Sequence, residues 1–233
     1  MTEVLVRHSE GVGHLVLNRP GQRNSLTGPL VVQLKSGLDS LLDNPDCKAI
    51  IISGAEGYFC AGLDLKAFSA DPAPSWKADF QAHWADFHET VYHANVPIIG
   101  ALQGFAIAGG SSLALACDFL VVGKSAFMHV SEVERNMLAP LNIFWLGQRH
   151  SYQTALRMAL LGKRLSGMEL VAAGIAETCV DDAEVLQTSE VMATRFAGFD
   201  GQNLKALKRS IKKSYPRNSF RDQLAEIKSA STF

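Results

Sequence analysis

The sequence of 233 residues predicts an α/β fold with a helical C-terminal region. Short apolar strands alternate with amphipathic helices through the first half, whereas the second half shows almost only helical spacing of its apolar residues. Alternation of strands and helices favours a layered core, and a run of helices alone favours a region added to that core. We therefore expect a core over residues 1–180 and a C-terminal helical region over residues 181–233.

The elements are predicted in chain order. Two β-rich segments, 4–7 and 14–18, enclose two glycines and indicate a hairpin. Apolar residues recur at helical spacing over 28–42, and Asp43-Asn44-Pro45 ends that run. Buried strands are predicted at 48–53, 96–102 and 119–122. Further helices are predicted at 111–117, 150–161, 167–173, 183–197, 202–213 and 220–229.

An aromatic stripe follows a loop at 69–75 that contains two prolines. Four aromatic residues and one valine share one face of a predicted helix: Trp76, Phe80, Trp84, Phe87 and Val91. Large apolar residues at helical spacing are typical of a packing face, so we favour core packing over an aromatic ligand site.

Composition and charge exclude several classes of protein. The chain has 22 basic and 23 acidic residues, without the basic excess expected of a nucleic-acid-binding protein. Its 47% of hydrophobic residues excludes a disordered tail. The uncharged stretch 90–117 is long enough to cross a bilayer, but its polar residues and paired glycines favour a buried strand, loop and helix. We expect no nucleic-acid or membrane partner.

The cysteines and the N-terminus indicate a cytoplasmic protein. The four cysteines have neither metal-site spacing nor the density of a disulfide-rich domain, which favours a reduced compartment. The first residues lack the basic region and apolar segment of a secretory signal.

Common catalytic motifs are absent. The chain has no G-x-S-x-G elbow, no Walker A sequence and no G-x-G-x-x-G fingerprint. His88 and His93 are five residues apart, a rotation of about 140° around a helix, whereas zinc-binding H-E-x-x-H places both rings on one face. We expect both histidines to be partly exposed, and we predict no metal site.

Two glycine-containing loops follow buried strands, one at Gly62 and one at Gly109-Gly110. Each could be a simple turn. Glycine also lets a substrate approach backbone N–H groups that a side chain would block, and two such loops aimed at one point form an oxyanion hole. The helix expected after Gly110 would direct the positive end of its dipole to the same point. We favour this second interpretation because both loops are present.

Three segments carry a family resemblance: 17–26, 57–66 and 97–133. In order and spacing they resemble the crotonase family, the enoyl-CoA hydratase/isomerase superfamily, over roughly residues 4 to 180. The resemblance implies a crotonase-like fold, a ββα superhelix with a C-terminal helical region. It also implies that the N–H groups of Leu63 and Gly109 hold the thioester oxygen of an acyl-CoA.

The same resemblance implies the ligand and the assembly. Coenzyme A enters as part of the substrate, so no separate cofactor is expected. Leu63, Asp64, Leu65 and Lys66 would line its path, where Lys66 lies near a phosphate or is a solvated surface lysine. Family members form trimers, often paired as hexamers, through the C-terminal helices, so residues 181–233 are the expected oligomerisation region.

The sequence departs from the hydratase pattern at one of two glutamate positions. Ser112 occupies the first, and Glu132, twenty residues on, occupies the second. Water addition uses two carboxylates, whereas a double-bond shift needs only one base that removes a proton from C2 and returns it at C4. Single-glutamate Δ3,Δ2-enoyl-CoA isomerases resemble this arrangement and have a proline where Pro140 lies. Dienoyl-CoA isomerases have an aspartate there, so Pro140 counts against them.

We therefore expect an enoyl-CoA isomerase with Glu132 as acid/base, Leu63 and Gly109 as oxyanion donors and Ser112 in the substrate site. Two alternatives stay open: a hydratase in which Ser112 or a bound water replaces the missing carboxylate, and a catalytically silent acyl-CoA-binding protein. Glu134 is interpreted as a solvated or ion-paired carboxylate. An apolar pocket would raise the pKa of Glu132, with candidate walls at Met128, Val130, Met137, Leu138, Phe144 and Trp145.

Overall fold

A computed structural model describes residues 2–215 and 218–229 of the chain. Strands in these ranges are β1 (Val4–Ser9), β2 (Val12–Leu17), β3 (Ala49–Gly54), β4 (Ile98–Leu102), β5 (Phe105–Ile107), β6 (Phe119–Gly123), β7 (Phe127–His129), β8 (Leu165–Ser166) and β9 (Thr178–Val180). The α-helices are α1 (Gly28–Asp43), α2 (Leu65–Phe68), α3 (Phe80–His93), α4 (Gly109–Ala116), α5 (Pro140–Arg149), α6 (Tyr152–Ala159), α7 (Gly167–Ala172), α8 (Val185–Ala197), α9 (Gly201–Ser214) and α10 (Phe220–Ser229).

The main sheet has six strands in the order β1-β2-β3-β4-β6-β9. β1 and β2 form the predicted antiparallel hairpin, and every other neighbouring pair is parallel. β3 and β4 are buried along their whole length, which explains their continuous apolar sequences. Because these two strands are parallel, their carboxyl ends meet at one edge of the sheet, where the chain segments of the candidate site begin.

A second, three-stranded sheet has the order β5-β7-β8. β5 and β7 pair in parallel, with Ala106 opposite Met128. An isolated bridge joins Cys60, which follows β3, to Ala106. This small sheet therefore fixes the start of α4 relative to the loop after β3.

Helices cover both faces of the main sheet. α1 and α3 contribute to the large apolar cluster on one side, together with α4 and α5. α8 packs on the other face, where Val185 and Ala193 are buried against Ile51 and Ile99. The polypeptide after residue 180 thus begins with a helix that belongs to the packed core, and its assignment as an oligomerisation region stays a prediction.

Most predicted elements are present with ends shifted by a few residues, but α2, α5 and the short strands β5, β7, β8 and β9 were not predicted. Three of these strands have three residues and β8 has two, too few to show a period. α5 begins at Pro140, a residue common at the first helical position, but Ala139 before it provides no side-chain cap. Trp76 lies in a turn before α3, not on the helix, and its ring packs 5.9 Å from that of Phe68.

The uncharged stretch 90–117 forms the end of α3, then β4, β5 and α4, as a buried strand, loop and helix. Across 2–215 and 218–229, none of the helices combines the length and apolar character needed to cross a membrane.

Candidate active site

The loop after β3, at residues 60–63, lies against β5 and the turn that follows it, at residues 105–109, at the carboxyl edge of the main sheet. Glycine makes this close approach possible. Cys60 N–H donates to the carbonyl of Phe105 at 3.0 Å, and Ile107 N–H donates to that of Cys60 at 3.1 Å. Gly62 has a φ of +83°, and a Cβ at this position would lie 2.6 Å from the carbonyl oxygen of Ile107. Only glycine combines this backbone conformation with this proximity.

The amides of Leu63 and Gly109 belong to these two segments, and both residues line the same cavity. Leu26 bonds to the residues that flank Leu63, through the carbonyl of Gly62 at 2.7 Å and the amide of Asp64 at 2.9 Å. The N–H of Leu63 therefore points away from Leu26. Gly109 opens α4, where the first N–H groups have no acceptor within the helix. Both residues line one cavity, so their amides and the helix dipole can hold a developing oxyanion.

The residue before Gly109 has a strained backbone. Ala108 adopts φ 49° and ψ −112°, a conformation suited to glycine, at a cost of roughly 1–3 kcal/mol. Its N–H donates to the carbonyl of His129 at 2.9 Å. Its carbonyl accepts from Ser112 N–H at 3.1 Å and from Asn142 Nδ2 at 3.1 Å. These bonds hold the turn that presents Gly109.

Glu132 begins a single 3₁₀ turn at the cavity. Its Oε1 accepts from Asn142 Nδ2 at 2.9 Å, whereas its buried Oε2 bonds to none of the described residues. Burial raises the pKa of Glu132, and hydrogen bonds from its own amide and from Asn142, with the charge of Arg135, offset only part of that effect. A carboxylate with a raised pKa and one oxygen free of hydrogen bonds is suited to move a proton.

The cavity is mostly apolar and has a volume of about 170 Å³. Of the six predicted walls, Met137 and Leu138 line it. The other four are a wrong prediction, since Met128, Val130, Phe144 and Trp145 are buried in the core instead. Met128 lies on β7 and Val130 just beyond it, whereas Phe144 and Trp145 lie on the inner face of α5. All four side chains pack in the core, away from the cavity.

Phe80 and Trp84 are walls of the cavity that the sequence reasoning missed. Both are buried, as expected of a packing face, but α3 also turns them toward the site. Their helical spacing shows that they share a face; it contains no signal for what lies opposite that face. Leu26 and Asn142 line the cavity as well and were not predicted.

Ser112 lies on α4 with its hydroxyl fully engaged. Its Oγ donates to the carbonyl of Gly109 at 2.9 Å and lies 3.4 Å from His88 Nε2. Trp145 Nε1 donates to His88 Nδ1 at 2.8 Å, so Nε2 carries the ring proton and faces Ser112. Burial lowers the pKa of His88 to about 3, and the ring is neutral at pH 7.

The prediction that His88 is partly exposed was therefore wrong. The residue is fully buried because it lies four positions after Trp84, on the apolar face of α3, whereas His93 is exposed near the helix end. Within the described part of the chain, no group of three or more His, Cys, Asp or Glu side chains could hold a metal ion.

The remaining predicted site residues occupy different environments. Leu65 lines the cavity, and Lys66 is exposed on α2, away from its walls. The carboxylate of Asp64 accepts from Arg19 Nη2 at 3.1 Å and caps α2 through Ala67 N–H at 3.0 Å. Asp64 thus fixes the loop that presents Leu63. Glu134, predicted to be solvated or ion-paired, is exposed and its Oε1 lies 3.1 Å from His129 Nε2.

Solved structures define the class of fold. An enoyl-CoA hydratase from Bacillus anthracis superposes with a TM-score of 0.87 at 23% identity, covering 99% of this chain and 92% of that one. An enoyl-CoA hydratase from Mycobacterium smegmatis superposes with a TM-score of 0.81 at 28% identity, covering 99% and 97%. The fold is that of the crotonases, as predicted.

The family model described as Enoyl-CoA hydratase/isomerase matches residues 7–232. The chain belongs to this family and is an enzyme. It is 28% identical over 210 residues to a probable mitochondrial enoyl-CoA hydratase of Dictyostelium discoideum, covering 88% of this chain and 73% of that protein. It is 29% identical over 186 residues to a peroxisomal Δ(3,5)-Δ(2,4)-dienoyl-CoA isomerase of Arabidopsis thaliana, covering 74% and 67%.

Proposed function

We propose that the enzyme is an enoyl-CoA isomerase that shifts the double bond of a 3-enoyl-CoA to the 2-position. One observation carries the proposal: among the described residues, the half-buried Glu132 supplies the carboxylate of a cavity that Leu63 and Gly109 also line, and its buried Oε2 has no hydrogen-bond partner. A double-bond shift needs one base and one oxyanion hole, and this arrangement supplies both.

The reaction proceeds by transfer of one proton. Glu132 Oε2 removes a proton from C2 of the substrate, and the electron pair of that C–H bond delocalises onto the thioester oxygen. The N–H groups of Leu63 and Gly109 stabilise this dienolate. The carboxyl group then returns the proton at C4, the double bond settles between C2 and C3, and Glu132 is again a carboxylate.

Ser112 favours isomerisation over hydration. A hydratase needs a second group that orients water and manages its proton, and the family's second carboxylate is replaced here by a hydroxyl that already donates to Gly109. His88 behind it is neutral and presents a proton, so it is not a base. Hydration remains the second candidate because the Dictyostelium and Mycobacterium smegmatis relatives carry hydratase names.

The test compares 2-enoyl-CoA and 3-enoyl-CoA thioesters of graded length as substrates of wild type and Glu132→Gln. We expect 3-enoyl-CoA to be isomerised by wild type, and the variant to be slower by about 10²- to 10⁴-fold because the base is lost. Unchanged turnover by the variant would remove Glu132 as the base. Conversion of crotonyl-CoA to the 3-hydroxyacyl product, without isomerisation, would establish the hydratase. Tight acyl-CoA binding without any turnover would establish a binding protein.

We also propose that residues 63–66 line the path of coenzyme A and that the chain assembles as a homotrimer or hexamer in the cytoplasm. Large apolar side chains are exposed on and just after α6, at Tyr152, Leu160 and Leu161, which suits subunit contacts. Native mass spectrometry gives the assembly directly, and a monomer at micromolar concentration would contradict it.

A further inference from the structure

Asn142 hydrogen-bonds to both parts of the candidate catalytic site, the turn before Gly109 and the base Glu132. It lies on α5, is 2% exposed, and uses both hydrogens of its side-chain amide. One goes to the carbonyl of Ala108 at 3.1 Å and the other to Glu132 Oε1 at 2.9 Å. Because a carbonyl and a carboxylate can only accept, the amide nitrogen must face both, which fixes the side-chain orientation.

The bond to Ala108 acts on Gly109. The Ala108 carbonyl and the Gly109 N–H belong to one peptide unit, so a donor at the oxygen polarises that unit and strengthens the N–H as a donor. The same bond restrains a turn whose φ at Ala108 is unfavourable for a residue with a side chain. Without it, the Gly109 amide would be a weaker and less well-directed oxyanion donor.

The bond to Glu132 acts on the base. It occupies Oε1 and leaves the buried Oε2 as the oxygen without a hydrogen-bond partner among the described residues. Donation to the carboxylate also favours its charged form, against the effect of burial. The other charged or titratable groups on this side have their own neighbours. Arg135 lies on the same turn, Glu134 Oε1 contacts His129 Nε2, and the neutral His88 faces Ser112.

We propose that Asn142 is a positioning residue that sets the oxyanion donor at Gly109 and the base Glu132 in one fixed relation. The inference rests on the proposed function, since it assumes that these two groups act on one substrate. The residue type is specific for this task. Asp would replace both donors by acceptors, and Leu would keep the volume while removing them.

The test measures the pH dependence of kcat and KM for Asn142→Leu and the nearly isosteric Asn142→Asp. We expect kcat to fall about 10- to 100-fold, with KM changed much less, because misplaced catalytic groups slow chemistry more than binding. The acid limb of the kcat/KM profile should move to higher pH in both variants. Loss of the donor, or addition of a second carboxylate, makes Glu132 harder to ionise.

Gln148→Leu is the matched control. It makes the same kind of change on α5 and removes a hydrogen bond to Gln223, but lies outside the cavity. Its kinetic profile should be that of wild type. If Asn142→Leu only lowers the melting temperature and leaves both kcat and the acid limb unchanged, Asn142 is purely structural and the inference is wrong.

A second readout separates this inference from the proposed function. Exchange of the C2 protons of butanoyl-CoA in D2O reports the base and oxyanion hole without requiring isomerisation. If wild type exchanges but does not isomerise 3-enoyl-CoA, the isomerase proposal fails, and slower exchange by Asn142→Leu still supports Asn142. If exchange is equally fast in both proteins, the inference fails alone. If wild type neither exchanges nor isomerises, both are overturned.

Discussion

Ala108 shows how the candidate site stores strain in a single residue. Its φ of 49° with ψ of −112° is unfavourable for any residue with a Cβ, and bonds to His129, Ser112 and Asn142 hold it there. Strain of this kind concentrates at functional sites because the surrounding packing over-determines the local backbone. Sequence reasoning identified the turn through its glycines but had no signal for this conformation, which depends on partners 21 and 34 positions away.

We predict that Ala108→Gly stabilises the protein by about 1 kcal/mol. Relief of roughly 1–3 kcal/mol of strain exceeds the extra conformational entropy of glycine in the unfolded chain, about 0.5–1 kcal/mol. Urea unfolding measures the difference. Arg23→Gly is the control, since Arg23 has φ 51° and ψ 40°, an ordinary left-handed conformation, and should gain less. A destabilised Ala108→Gly would contradict the strain.

At the scale of elements, α5 is the longer of two helices that the sequence did not reveal, the other being the four-residue α2. α5 supplies Asn142 and, three residues on, Trp145, both turned inward. Repeating patterns predicted the longer helices and central strands well, because burial imposes a period on their sequences. α5 is short, follows a 3₁₀ turn and starts without a side-chain cap, and it packs on α4, α6 and α10.

We predict that Trp145→Phe destabilises the protein by about 2–3 kcal/mol. The change leaves the buried His88 Nδ1 without its donor and removes packing volume. Thermal and urea unfolding measure the loss. In the double variant with His88→Leu, the total should be smaller than the sum of the two single effects, because no orphaned acceptor remains. Strict additivity would show that the bond contributes nothing.

At the scale of the whole molecule, a half-buried ion cluster joins α9, in the C-terminal helical region, and α5 to the sheet. Asp118, just before β6, pairs with Lys208 Nζ of α9 at 2.5 Å and with Arg149 Nη2 of α5 at 3.2 Å. It also accepts from Ile98 N–H of β4 at 2.8 Å. The sequence distinguishes the core from the helical region by the types of element that it predicts. It does not show which charged residues pair with each other when they lie more than 30 positions apart.

We predict that Asp118→Asn destabilises the protein by about 3 kcal/mol at pH 7, since it leaves two cations without their anion. Burial raises the pKa of Asp118, but Lys208 and Arg149 together outweigh it and the net pKa is lowered. The stabilisation is therefore present above the ordinary aspartate pKa and is lost as pH falls through the lower folded value. Urea unfolding of both proteins at neutral and acidic pH should show the difference shrinking in acid.

Asp39→Asn is the control for that measurement. Asp39 pairs with Lys35 one helical turn away on the surface of α1, at 2.6 Å, and its loss should cost no more than about 0.5 kcal/mol. Equal effects at positions 118 and 39 would mean that the cluster around Asp118 does not join the helical region to the sheet.

The two inward side chains of α5 have a consequence for how such enzymes diverge. Asn142 bonds to the carbonyl before Gly109, and Trp145, through His88 and Ser112, bonds to the carbonyl of Gly109 itself. A substitution on the inner face of α5 could therefore change the rate of a descendant enzyme while Glu132, Leu63 and Gly109 stayed the same. Descendants compared only at those three positions would look equivalent, and the residues at positions 142 and 145 would distinguish them.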